Sequence, residues 1–288
     1  MKRNLPVWLF IFLILCAALV QARHIVGGEI RMQPAAGLNQ YTFTLVQFWD
    51  ENNLSAGNRD SQVDLLVYRK RDNQLIAQFA LPYVSTQSVD YQNKACAAFR
   101  SLKTVAGLYS QTVTLNPADY SDPAGYYVVW ERCCRNDDIN NIESPGSNGM
   151  VFYLEFPPLS VRNTSPEFSF PNGQYICKDQ PFTMRMSALD ADGDELRYSL
   201  VTPMSGNTSR NNPIGNSSPK TGYPLVQWTT GVTLQNVIPG NPSFRVDNAS
   251  GTISVTASTI GLYVFTVQCE EYRNGRKIGL TRRDFQLL

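Results

Sequence analysis

Histidine is nearly missing from this sequence: its 288 residues include one, His24. A histidine base beside a serine or cysteine nucleophile needs more than that, and so does a histidine-rich metal centre. Charge is sparse as well, at 17% of residues, and balanced at 25 basic against 24 acidic. There is no basic stripe to follow a phosphate backbone, so no nucleic-acid partner is expected. No block of like charge marks a membrane-surface patch. Long runs of helical periodicity are absent, as are C-x-x-C pairs and any G-x-S-x-G or G-D-S-G-G element. A carboxylate-pair glycosidase is the enzyme class that survives this sieve, because such a pair leaves no local motif.

What is present begins with an export signal. Lys2 and Arg3 precede an apolar stretch from Val7 to Val20, and Val20-Gln21-Ala22 has the short residues of a cleavage site. The apolar run is short for a transmembrane span. Leu15 before Cys16 lacks the small side chain of a lipobox. Residues 1–22 are therefore predicted to be a cleaved signal peptide, with the mature chain secreted or outer-surface and not inserted in the membrane. Cleavage removes Lys2 and Arg3 from the 25 basic residues, leaving 23 against 24 acidic. Five cysteines remain: Cys96, Cys133, Cys134, Cys177 and Cys269. In an oxidising compartment they read as disulfide partners with one left over. Neighbouring residues on a strand face opposite ways, which sends Cys133 and Cys134 to different partners. Cys96 is expected to bond one of them, and Cys177 to pair with Cys269.

Short alternating runs between clusters of Gly, Pro, Asn, Asp and Ser predict an all-β protein. Tyr41, Phe43, Leu45 and Trp49 share one side of a strand, and Val63, Leu65 and Val67 alternate in the next. Phe182, Met184, Met186 and Ala188 repeat the pattern later, and Asn274-Gly275 marks a two-residue hairpin. The proline-rich stretch 157–166 reads as a linker. The expected architecture is two tandem immunoglobulin-like or cadherin-like β-sandwich domains, 23–158 and 159–288. The last strand ends with the chain, which suggests a longer natural protein with further β-domains.

Arg23-His24-Ile25-Val26-Gly27-Gly28 looks like the activated N-terminus of a trypsin-like protease, but the lone histidine lies inside the motif itself. Ile25 to Ile30 reads as a first strand instead. Asp190, Asp192 and Asp194 alternate around Gly193 and could converge on calcium, the one cofactor suggested here. An EF-hand would need a bidentate acid where Val201 stands, so a plain polar turn is the competing reading. The N-x-[ST] sites at Asn53, Asn163, Asn207, Asn216 and Asn248 read as loop residues. Trp49, Trp130 and Trp228 fit a core, or else a sugar-stacking face. Glu270-Glu271-Tyr272-Arg273 reads as a solvated strand end.

Several stretches together resemble the N-terminal region of large secreted surface proteins of Bacteroidota. They are His24 to Ile30, Gly125 to Asn136 with its Trp130-Glu131-Arg132-Cys133-Cys134-Arg135-Asn136 core, Asn141-Ile142, Asp190 to Tyr198, Glu270 to Gly275 and Arg283 to Leu287. Such proteins commonly end in a gliding-motility-associated sorting domain recognised by type IX secretion, and no stretch of these 288 residues reads as one. The stretch Asp190 to Tyr198, with Phe244 to Asp247 and Gly251-Thr252-Ile253, is similar to cadherin-like or polycystic-kidney-disease-type modules. The resemblance implies a structural or adhesive surface module without catalysis, whose partner is a cell-surface or extracellular glycan or protein. The alternative is a carbohydrate-binding module or a component of a glycan-acting enzyme.

Overall fold

The computed structural model describes residues 25–53, 59–97, 101–170, 173–218 and 221–288. The expected signal peptide, Cys16 and His24 lie outside these. The first half contains β1 (Ile25–Pro34), β2 (Gln40–Asp50), β3 (Gln62–Arg69), β4 (Leu75–Ser88), β5 (Tyr91–Gln92), β6 (Thr104–Thr114), β7 (Tyr126–Cys133) and β8 (Gly149–Phe156). Then come β9 (Glu167–Phe168), β10 (Gly173–Gln174), β11 (Pro181–Arg185), β12 (Ala188–Leu189) and β13 (Glu195–Val201). The chain finishes with β14 (Arg245–Val246), β15 (Thr252–Thr256), β16 (Tyr263–Arg273) and β17 (Arg276–Leu287). Among the described residues no helix is long and apolar enough to cross a membrane.

The all-β expectation fits, but the two tandem immunoglobulin-like or cadherin-like sandwiches do not. One sheet runs β1-β2-β6-β4-β3-β7-β8-β17 and returns from β17 to β1, closing an eight-stranded barrel. β17 closes it by pairing Leu280 with Glu155 and Thr281 with Leu154 of β8, then Gly28 of β1 with Asp284. Its other edge carries β16, and β16 carries β13. A hydrophobic period shows that a segment is a strand and which face is buried; it does not name the neighbours. β17 did carry one clue. From Gly279 to Leu287 every residue but Arg282 is buried, so both faces are covered.

Inside the barrel lie the predicted inward positions of β2 and β3, with Phe43, Leu45, Leu65 and Val67 fully buried. Trp49 packs here because Gly107, on the neighbouring strand β6, has no Cβ, which would otherwise collide with the indole ring. A second core covers the outer face of β1, β2 and β6. Val26, Val46, Phe48 and Ala106 meet Phe265 and Phe285 of β16 and β17, and Phe182, Met184, Ile253 and Val255 of the three-stranded sheet β11-β15-β14. Each fully buried phenylalanine contributes roughly 1.5–3 kcal/mol. The Asn274-Gly275 turn forms as expected, with φ of 53° and 75° between paired Arg273 and Arg276.

The disulfides overturn the expected pairing. Cys96 bonds Cys177, with Cα atoms 5.0 Å apart, and Cys133 bonds its neighbour Cys134. Cys269 is the free thiol and is buried. Cys96 reaches Cys177 because β5 and β10 pair in parallel, a contact between distant segments that spacing cannot reveal. Alternation sends neighbouring side chains apart only along a continuous strand, and β7 ends at Cys133, so Cys134 lies beyond it. The stretch 157–166 forms no strand and is fastened at several points. Leu159 donates its N–H to Tyr120 O, Ser165 N–H donates to Met32 O, and Met32 N–H donates back to Ser165 Oγ.

Candidate functional site

The acidic turn joins β12 to β13, with Gly193 at φ +78°. Asp190 Oδ1 accepts the backbone N–H groups of Asp192 (2.9 Å) and Asp194 (3.0 Å), which shapes the turn. Asp192 Oδ2 accepts from Thr164 N–H at 2.6 Å, tying the turn to the proline-rich segment. One carboxylate oxygen from each of the three aspartates lies within 4.8 Å of the others. The structure therefore brings all three predicted residues together.

It also brings a cation that the sequence reading missed. Arg273, at the end of β16, donates from Nε and a terminal nitrogen to the two oxygens of Asp194, both at 2.7 Å. The same guanidinium lies 3.5 Å from Asp192 Oδ2 and donates to Arg162 O (2.8 Å) and Asn163 Oδ1 (3.2 Å). Asp194 holds Arg273 firmly in its charged form.

Glu271 stands two residues earlier, and it is no solvated strand end: its exposure is 0%. Asn163 Nδ2 donates to Glu271 Oε1 at 2.8 Å, while Oε2 has no partner. The carboxyl of Asp190 lies beside it, with its own Oδ2 buried and unpartnered. Burial pushes the Glu271 carboxyl well above the ordinary glutamate value, and Asp190 and Asp194 push the same way. A bound calcium would draw on Asp190, Asp192 and Asp194 and would compete with Arg273 for Asp192 and Asp194. The signal for Glu271 was in the sequence. Strand period places it on one face with Val267 and Cys269, both fully buried.

A second charged constellation grips β17. Glu29 of β1 and Arg283 of β17 form an ion pair with side chains 0% and 1% exposed. Arg31 adds to Glu29 at 2.7 Å, and Arg283 donates to Ser169 O at 2.7 Å with its guanidinium 4.6 Å from the Phe168 ring. Next along β17, Asp284 receives Arg135 through two bonds, 3.1 and 2.6 Å, while Arg135 Nε donates to Gly149 O at 2.9 Å. Asn136 Nδ2 donates to Gln286 Oε1 at 3.3 Å. Asn141 donates to Val237 O and Val264 O and accepts from Val264 N–H. Burial alone would raise the Glu29 carboxyl, yet Arg283 and Arg31 together hold it below the ordinary value. For Asp284 burial wins over its single arginine, and the carboxyl sits above the ordinary value.

The remaining candidates are structural. Trp49 and Trp130 are buried, and Trp228 is half-buried against the second core, so they form no sugar-stacking face. Asn163, one of the N-x-[ST] positions, is buried. Burial pushes the Cys269 thiol up and leaves it unreactive. Comparison with family models, with curated proteins and with solved structures finds no match.

Proposed function

We propose that this chain is an exported structural or adhesive β-module of a bacterial surface protein and carries out no catalysis. One observation supports the reading above all: the distinctive charged residues are spent on joining strands. Glu29, Arg135, Arg283 and Asp284 are buried in ion pairs that fasten β17 to β1 and to the segment after β7, and none of the four is left to meet a substrate. Export is supported by the apolar stretch Val7 to Val20 and by two disulfides, which belong to an oxidising compartment. The test uses purified residues 23–288 in a cell-surface binding assay, a glycan array and a panel of chromogenic glycosides and peptides. Saturable binding to a surface protein or glycan without turnover is expected. Turnover that disappears in Glu271→Gln or Asp190→Asn would overturn the reading.

A further inference from the structure

The barrel wall is incomplete at one place. β4 pairs with β3 through Leu75–Pro82 and then changes partner, pairing with β6 from Tyr83 to Ser88. β6 pairs with β2 along its whole length, but with β4 only through Val105–Tyr109. Beyond Tyr83 and Tyr109 the two strands part. The second edge of Leu75–Pro82 and the second edge of Ser110–Thr114 have no strand partner among the described residues. Among the described residues no turn or loop backbone hydrogen bond reaches either stretch.

Side chains on the inner face confirm the gap. Register sets Ala77, Phe79 and Leu81 inward, opposite Val67, Leu65 and Val63. It also sets Gln111 opposite Phe43 and Val113 opposite Tyr41. Phe43 is fully buried, yet Gln111 is exposed, and Ala77, Phe79 and Val113 are only half-buried. The seam's own inner positions are therefore partly exposed, while Phe79 packs on Phe43 behind them with ring centroids 5.4 Å apart.

Unpaired edges invite intermolecular pairing, and proteins usually blunt them with charge, proline or a covering segment. β13, the other free edge of the large sheet, follows that rule. It carries Glu195 and Arg197, and Asn248 covers it by bonding both backbone groups of Tyr198. The stretches Leu75–Pro82 and Ser110–Thr114 contain no charged residue, and Pro82 stands only at the end.

We propose that the seam between β4 and β6 receives an extended strand from a partner polypeptide, added by backbone hydrogen bonds along Leu75–Pro82. Such addition takes its affinity from the backbone ladder and its selectivity from alternate side chains. The partner's inward positions meet Ala77, Phe79, Gln111 and Val113, where no counter-charge is available. An ionised side chain there would be desolvated without compensation, so the docked segment is uncharged, with apolar residues at every second position.

The probe is an acetylated, amidated peptide of alternating threonine and valine, titrated against residues 23–288 and followed by amide hydrogen exchange. Protection is expected to rise in Leu75–Pro82 and Ser110–Thr114 and nowhere else. Gln111→Lys, at an exposed position facing the seam, should weaken binding about tenfold, equivalent to about 1.4 kcal/mol, with the melting temperature unchanged. Gln78→Lys, on the outer face of β4, should bind as the parent does. Binding that leaves the seam unprotected, no binding at millimolar peptide, or a dimer whose seam is protected without peptide would each overturn the proposal. The last outcome would assign the edge to a second copy of this chain.

Discussion

The clasp on β17 and the acidic turn both bury carboxylates, and they solve the problem in opposite ways. In the clasp each acid faces an arginine: Glu29 has Arg283 and Arg31, and Asp284 has Arg135. In the turn the nearest arginine, Arg273, is committed to Asp194 and Asp192, and Glu271 is left facing Asp190. Counter-charge makes the clasp a fastener between distant parts of the chain. Lack of counter-charge leaves burial free to raise the Glu271 carboxyl. The comparison shows why burial alone does not decide what an acidic residue does: the same desolvation is overcome at Glu29 and prevails at Glu271.

Breaking the clasp should have the largest effect. Arg135→Met leaves Asp284 buried and unpaired, and about 3–5 kcal/mol of stability should be lost in urea unfolding. The double variant Arg135→Met, Asp284→Asn should recover much of that loss, because the uncompensated charge is gone. Removing the cross-link between the halves comes next. Cys96→Ser with Cys177→Ser should cost about 2–4 kcal/mol and lower the melting temperature by a similar margin whether or not reductant is present.

The pH dependence sharpens the contrast. Glu29 is held below its ordinary value in the folded state, so its stabilisation is present above about pH 4.5 and fades as pH falls through the lowered value. Glu271 is raised, so the folded state binds more protons than the unfolded one. Its contribution is full below about pH 4.5 and is lost as pH rises through the raised value. Glu271→Gln should therefore flatten the decline of stability on the alkaline side and leave the acid side unchanged. A smaller effect is expected from calcium. In Arg273→Gln the turn loses its guanidinium, and millimolar calcium should raise the melting temperature more than it does in the parent. Equal responses would mean that Arg273 does not neutralise the turn.

Much of the local structure was legible, and most of the pairing was not. Inward positions such as Phe43, Leu65 and Met184, and the turn at Asn274-Gly275, follow from period and turn chemistry that act over a few residues. The three aspartates were visible for the same reason. What stayed hidden depends on residues far apart in sequence. Arg273 meets Asp194 across 79 positions, Arg283 meets Glu29 across 254, and Cys96 meets Cys177 across 81. Glu271 lies between these extremes. Its charge suggests exposure, whereas its place in the β16 alternation points inward.

β17 belongs to the barrel and to the second core at once, so the two cannot melt apart. Urea unfolding followed by hydrogen exchange at barrel amides (Leu65, Val128) and at second-core amides (Met184, Val255) tests this most directly. Coincident transitions, shifted together to lower urea by Arg135→Met, are expected. Two separate transitions, or an Arg135→Met shift confined to the barrel, would contradict it.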